Sequence, residues 1–251
     1  IKLITGQSDR GVNKKLFLKK PECISQWYAT NVHYSHKNLI PIPLGLANDH
    51  PKNLSYINYI NNNNLITKDE IAYMNFEENT NFFKRTKIKN KLCQKDWVHN
   101  EDRLLPLDDY LTKLRSSMFI ISPPGNGADT HRVWEAIYAG SYPIVEKSIA
   151  MNSFTQFPII FVKKIANIKK ERIKLLKNNL NELNIDTLKV SYWIKKIDEK
   201  KLDSFQEKLI IKDDEASLRR TLSEYDKKIK SEQKIKKFKT INRRIYSKLF
   251  K

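Results

Sequence analysis

The stretch 119–145, FIISPPGNGADTHRVWEAIYAGSYPIV, decides the fold. Its first apolar run has the composition of a strand and ends at Ser122, because the two prolines that follow cannot continue a strand. The spacing then predicts a helix over 130–139 that ends at Gly140, a residue suited to a helix C-terminus. A second apolar run, 142–146, predicts the next strand. Strand, loop, helix and strand in this order predict a parallel α/β unit.

The loop between this strand and this helix predicts a phosphate site. Gly125 and Gly127 carry no side chain, so backbone N–H groups can approach a ligand closely. The helix points its positive N-terminus at the same place, and we expect Asp129 or Thr130 to cap it. The residues expected to border the bound phosphate are Ser122, Gly125, Asn126, Gly127, Asp129 and Thr130.

Arg132 and Glu135 lie three residues apart, on one face of the predicted helix. A guanidinium suits a diphosphate, and a carboxylate can accept hydrogen bonds from the two hydroxyls of a ribose. Together they indicate a site for a nucleoside diphosphate. The alternative is an ordinary ion pair within the helix, worth about 0.2–0.5 kcal/mol.

The longer stretch 110–145, from YLTKLRSS to YPIV, resembles the core motif of the exostosin-like glycosyltransferases. In that family a Tyr and a Leu precede a Ser-x-Phe strand. A Pro-x-Gly-x-Gly loop, an Arg-x-x-Glu-Ala helix and a Gly followed by a Pro-Ile/Val strand come next. More loosely, the stretch 73–85, YMNFEENTNFFKR, resembles the first strand and loop of the same domain.

The resemblance implies a GT-B-like α/β fold, with two Rossmann-like units that contain parallel sheets. It implies transfer of a sugar from a UDP- or GDP-linked donor with inversion, without an essential metal or other cofactor. Carried over by position, Arg132 contacts the diphosphate, Glu135 contacts the ribose, and residues 125–127 form the phosphate-facing loop. Arg85 is a second candidate for the diphosphate, and an ordinary exposed helix residue is the alternative.

Composition and pattern divide the chain into three parts. Residues 1–65 predict an acceptor-side unit, short for a complete domain, in which 22–30 have helical spacing. Residues 66–166 predict the nucleotide-sugar-binding domain. Residues 167–251 predict a charged helical extension, and 228–251 a basic amphipathic helix that either packs on the protein or contacts an anionic membrane.

An inverting transferase needs a general base for the acceptor hydroxyl. Asp9 follows the predicted strand 2–6 and is the preferred candidate, with an ordinary turn residue as the alternative. His33 and Asp49 are further candidates on the acceptor side. Trp27 is expected either to stack on an acceptor sugar or to pack in the core.

The 251 residues carry a formal net charge of +19, which attracts anionic ligands in general. No helix-turn-helix, RNA-binding or zinc pattern accompanies it, so we expect no specific nucleic-acid partner. Two cysteines without a CxxC partner predict no metal site. The expected partners are a nucleotide-sugar donor and a glycan or lipid-linked acceptor, in the cytoplasm or at a membrane surface. The alternatives are a noncatalytic nucleic-acid-binding protein and a glycan-binding fold without turnover.

Overall fold

The computed structural model describes residues 1–6, 9, 11–47, 68–180 and 182–199, all within one compact unit, Ile1–Ser204. These residues form two sheets in which neighbouring strands run parallel, with helices packed beside them. The chain is therefore α/β, as the sequence predicts.

The first sheet contains β1 (Lys2–Thr5), β2 (Gln26–Ala29) and β3 (Leu39–Pro41), in that order. A short helix, α1 (Lys14–Leu18), lies beside it and buries Phe17. The core of this sheet consists of Val12, Phe17, Trp27, Ala29, Val32 and Leu39. It is small, because three short strands have little surface to cover.

The second sheet has five strands in the order β5-β4-β6-β7-β8. They are β4 (Asp69–Met74), β5 (Val98–Asn100), β6 (Ser117–Ile121), β7 (Tyr142–Glu146) and β8 (Ile160–Val162). Helices cover both faces of this sheet, which explains why its strands are continuous apolar runs rather than alternating patterns.

Within the described ranges, five α-helices follow the strands of this second sheet or extend it. They are α2 (Phe82–Leu92), α3 (Leu107–Ser116), α4 (His131–Tyr138), α5 (Lys170–Lys177) and α6 (Val190–Glu199). Ile88 of α2 and Ile173 of α5 share one apolar core, so these two helices cover the same face. Leu114 of α3 and Ala136 of α4 share a core with Tyr73 on the opposite face.

The strand order reverses within the second sheet, an arrangement that leaves a crevice at the carboxyl ends of the strands in open α/β sheets. The chain passes from β4 to β5 on one side and then returns past β4 to β6 on the other. In open α/β sheets, ligands bind outside the carboxyl ends of the strands at such a reversal. The loop after β6, which begins at Ser122, therefore lies where a ligand site is expected.

The predicted helix over 22–30 is wrong, because Gln26–Ala29 form strand β2 and all four residues are buried. A fully buried strand and a buried helix both produce short apolar runs, so the spacing did not separate them. The helix predicted over 130–139 is confirmed as α4, and Gly140 follows it with φ +69°.

Two predictions fall outside the described residues. They are the role of Asp49 and the basic helix over 228–251. The boundaries at 65/66 and 166/167 stay predictions. In the described part of the chain, no helix combines the length and the apolar character needed to cross a membrane.

Candidate functional site

The loop from 122 to 130 is fixed by bonds to the sheet and within itself. Ser122 is buried, and its N–H donates to the carbonyl of Ile144 at 3.0 Å. Its hydroxyl bonds back to the carbonyl of Ile120 at 3.3 Å. Further on, the N–H of Gly125 donates to the carbonyl of Gly127 at 3.0 Å. The sheet therefore determines where this loop begins, and the internal bond determines its curvature.

Arg85 of α2 lies beneath the loop rather than on the surface, with 8% of its area exposed. Its guanidinium donates to the carbonyls of Pro124 at 3.2 Å, Pro123 at 3.4 Å and Glu77 at 2.6 Å. Burial and the nearby charge of Arg132 lower the pKa of Arg85 to about 10. Arg85 therefore holds the loop by its carbonyls and adds positive charge below it.

The two loop glycines are packed against side chains of the protein. A Cβ at Gly125 would lie 2.9 Å from the guanidinium of Arg85. A Cβ at Gly127 would lie 2.5 Å from the side-chain amide of Asn31, in the loop after β2. Close packing is thus a sufficient reason for both glycines, beside the predicted approach of a phosphate.

We expect Gly127→Ala to lower the free energy of unfolding by about 1–3 kcal/mol, because the methyl group must displace Asn31. Gly6→Ala is the matched control, because no heavy atom lies within 4 Å of the added Cβ. Urea denaturation of both variants measures the difference. Equal stabilities for the two variants would show that the loop yields at Gly127 without cost.

Asp129 is a buried anchor for the start of α4. Its carboxylate accepts from Nε1 of Trp134 and from the N–H of Leu44, both at 2.8 Å. Its own N–H donates to Oδ1 of Asn31 at 2.8 Å, and Asn31 has a φ of +54°. Loops from the first sheet are thereby tied to the helix that carries Arg132.

The start of α4 lacks the side-chain capping bond that the sequence predicts. Thr130 occupies the N-cap position, but its side chain makes no capping bond. In the described part of the chain its buried hydroxyl oxygen has no hydrogen-bond partner. The carboxylate of Asp129 is directed into the protein. That Asp129 and Thr130 contact the nucleotide-sugar donor stays a prediction.

Asp129 also predicts a pH dependence of stability. Burial raises the pKa of its carboxyl from 3.8 to about 7. Between these values the folded chain holds a proton that the unfolded chain has lost. The free energy of unfolding should therefore fall as pH rises from about 4 to about 7, by about 1.4 kcal/mol per pH unit from this group. Urea denaturation across this range should show this fall in the free energy of unfolding in the original chain and not in Asp129→Asn. An equal dependence on pH in both chains would contradict the prediction.

Arg132 and Glu135 meet through a third residue, Tyr110 of α3. The hydroxyl of Tyr110 donates to Oε2 of Glu135 at 2.7 Å and accepts from Nη1 of Arg132 at 3.2 Å. The guanidinium carbon of Arg132 also lies 5.6 Å from the centre of the Tyr110 ring. Among the described residues, no ion pair joins Arg132 directly to Glu135, so the alternative of a simple pair within the helix does not hold.

This arrangement keeps part of each charged group available. Arg132 and Glu135 are both half-buried. Over the described ranges, Oε1 of Glu135 and the Nε and Nη2 groups of Arg132 have no hydrogen-bond partner. A diphosphate beside Arg132 and a ribose beside Glu135 are therefore chemically compatible with the geometry.

Asp9, which follows β1 in the first sheet, reaches the same loop. Its Oδ2 accepts from Nδ2 of Asn126 at 2.9 Å, and both residues are exposed. Strand ends from both sheets thus place a carboxylate next to the predicted donor loop.

The other candidates on the acceptor side lie differently. Trp27 is 7% exposed and donates from Nε1 to Oγ1 of Thr5 at 2.8 Å, so it packs in the core of the first sheet. His33 is exposed and packs over Gly11, where an added Cβ would meet the imidazole ring. Asp49 is outside the described residues.

Sequence reasoning missed the contacts of four polar residues at the site. Asn31 and Tyr110 had no assigned role, although Tyr110 stands in the family-like motif. Asn81 donates from Nδ2 to the carbonyl of Gly125 at 3.1 Å. His131 is half-buried, with Nδ1 at 2.7 Å from the carbonyl of Gly45. Their partners lie far away in the sequence, and no local pattern marks them.

The geometry can be set beside known families. Residues 72–245 match the family model described as the RXYLT1 C-terminal domain, which is a xylosyltransferase-like family. This range contains nearly all of the second sheet together with the loop, Tyr110, Arg132 and Glu135. Comparison with curated proteins finds no match.

Proposed function

The chain belongs to the RXYLT1 C-terminal domain family, a glycosyltransferase-like family, and from this premise we propose that it is an exostosin-like enzyme with a GT-B-like architecture. It transfers a sugar from a UDP- or GDP-linked donor to a hydroxyl of a glycan or of a lipid-linked acceptor. The observation that carries this proposal is the group formed by Tyr110, Arg132 and Glu135 beside a glycine loop at the crevice of the second sheet.

The donor is held by its nucleoside diphosphate. Nε and Nη2 of Arg132 donate to the diphosphate, and Oε1 of Glu135 accepts from a ribose hydroxyl. Tyr110 fixes both side chains before the donor arrives, so less conformational entropy is lost on binding. Arg85 supplies positive charge from beneath the loop, and residues 125–127 border the phosphates.

The reaction is a displacement at the anomeric carbon of the donor sugar. The acceptor oxygen forms a bond to this carbon while the bond to the diphosphate oxygen breaks, with inversion. Asp9 takes the proton of the acceptor hydroxyl, and Arg132 stabilises the charge that develops on the leaving diphosphate. The reaction proposed here requires no metal.

Further features complete the proposal. His33 and Asp49 remain candidates for acceptor contacts, whereas the burial of Trp27 favours a structural role.

The enzyme works in the cytoplasm, and residues 228–251 bring it to an anionic membrane surface. No specific nucleic-acid partner is part of the proposal.

We expect Tyr110→Phe to weaken binding of UDP or GDP by about 3- to 10-fold, because the ring stays and only the hydroxyl that orients Arg132 and Glu135 is lost. Titration calorimetry measures the change. Tyr138→Phe is the matched control, because among the described residues the hydroxyl of this half-buried tyrosine on α4 forms no hydrogen bond with Arg132 or Glu135. Unchanged affinity in Tyr110→Phe would remove the orienting role.

The proposal is tested by titrating the chain with UDP and GDP, with duplex DNA at physiological salt as a comparison, and by assaying donor turnover. Saturable binding of one nucleotide with turnover supports it. Tight DNA binding without nucleotide binding would support a nucleic-acid-binding protein instead. Nucleotide binding without turnover of any donor would contradict the catalytic part.

A further inference from the structure

The two helical layers of the second sheet differ strongly in charge. We define the basic layer as residues 82–95 and 163–177, which contain α2, α5 and the turn before α5. The basic layer contains 13 Lys and Arg residues and one acidic residue, Glu171. The opposite layer, α3 and α4, contains three Lys and Arg residues and three acidic residues. The overall excess of basic residues does not explain this difference between the faces of one sheet.

Few charges of the basic layer are neutralised by neighbours. Lys84 pairs with Glu146 at 2.7 Å, and Lys89 pairs with Asp102 at 2.9 Å. Arg85 is buried under the loop. Seven other basic residues are exposed and form no ion pair with any described residue: Lys87, Lys91, Lys95, Lys163, Lys164, Lys169 and Arg172. Such a surface repels itself unless an anionic partner covers it.

Two large apolar side chains project from the same layer. Phe83 is 80% exposed, because α2 turns Arg85, Ile88 and Leu92 inward instead. Leu175 of α5 is 54% exposed, whereas Ile173 of that helix is buried. Exposed apolar residues among lysines are typical of protein surfaces that lie on an anionic bilayer. A surface that binds nucleic acid by charge alone does not require them.

We propose that the basic layer is a docking surface for a bilayer that contains anionic phospholipid. Lys87, Lys163 and Lys164 contact the lipid headgroups, and Phe83 and Leu175 enter the interfacial region. This surface is separate from residues 228–251 in sequence. Apart from Arg85, which is buried beneath the loop, its residues are not involved in donor binding.

The test uses the full chain and sedimentation with vesicles of phosphatidylcholine that contain about 30% phosphatidylglycerol, with pure phosphatidylcholine vesicles as the reference. Lys87→Glu/Lys163→Glu/Lys164→Glu is the charge variant. Lys14→Glu/Lys15→Glu/Lys19→Glu makes the same change in net charge at residues in and next to α1, beside the first sheet. Phe83→Ser/Leu175→Ser is the apolar variant, and circular dichroism checks that each variant is folded.

We expect the charge variant to bind anionic vesicles about 100-fold more weakly and the α1 variant no more than about 3-fold more weakly. The apolar variant should lose about 10-fold in about 0.5 M salt, where screening leaves mainly the apolar contribution. Equal losses in the two charge variants would overturn the proposal, because net charge alone would then explain binding. It would also be overturned if the original chain did not bind anionic vesicles, or if the apolar variant bound them in about 0.5 M salt as tightly as the original chain does. None of these measurements uses a nucleotide, so failure here is distinct from failure of the proposed transferase activity.

Discussion

Arg132→Ala is expected to weaken binding of the nucleoside diphosphate by about 10- to 100-fold. Hydrogen bonds between a guanidinium and a phosphate contribute about 1.5–3 kcal/mol, which is the free-energy equivalent of this loss. Arg132 is half-buried, and the only described hydrogen bond of its side chain is to Tyr110. The fold should therefore remain intact in Arg132→Ala. Titration calorimetry with UDP and GDP provides the measurement.

Two further variants make this result specific. Arg172→Ala removes an exposed arginine of α5, and its affinity should equal that of the original chain. Arg132→Lys keeps the charge but loses the planar, bidentate donor, so an intermediate affinity is expected. If Arg132→Ala bound as tightly as Arg172→Ala, the diphosphate would have to lie elsewhere.

Asp9→Asn is expected to reduce sugar transfer by about 100- to 10,000-fold, the range that a general base contributes. Nucleotide affinity should stay within about 2-fold, because the hydrogen bond of Asp9 to the described residues is with Asn126 and not with Arg132 or Glu135. The asparagine side chain has nearly the same shape but cannot accept the proton. Single-turnover assays together with calorimetry separate the two effects.

The control for Asp9 is Asp186→Asn, which changes an exposed carboxylate in the turn before α6. Its transfer rate should not change. Full activity in Asp9→Asn would exclude this residue as the base and leave His33 and Asp49 among the candidates. A loss of both affinity and transfer would indicate that Asp9 orders the loop through Asn126.

The second sheet was largely predictable from the sequence. Its strands β6, β7 and β8 are apolar runs bounded by Pro, Gly or polar turns, and Gly140 marks the end of α4. The first sheet was less predictable, because β2 is buried and only four residues long, which is too short to show a period. Strand β5 has three residues and an exposed His99 in its middle, so it lacks a clear apolar run.

Only the parts of the site that lie in one continuous stretch of sequence were predictable. Loop residues 122–130 and the spacing of Arg132 and Glu135 are visible in one stretch. The bond from Tyr110 to Glu135 spans 25 positions, and the bond from Asp129 to Asn31 spans 98. Such partners are determined by how the helices and sheets pack, which no single stretch encodes.

Asp129 bonds to residues inside the protein, which the sequence did not predict. Its carboxylate, expected at the helix cap, joins Leu44 and Trp134 instead. Because Asn31 also bonds to Asp129, the first sheet supports the helix that carries Arg132. A second contact between the first sheet and the loop is the bond from Asn126 to Asp9, which follows β1.

A crystal structure of the chain with UDP or GDP tests the central claim most directly. The account predicts a diphosphate within hydrogen-bond distance of Nε or Nη2 of Arg132, beside residues 125–127. It also predicts a ribose hydroxyl on Oε1 of Glu135, with Tyr110 still bonded to Oε2. A nucleotide bound away from the crevice of the second sheet, or one that leaves both Arg132 and Glu135 without contact, would contradict it.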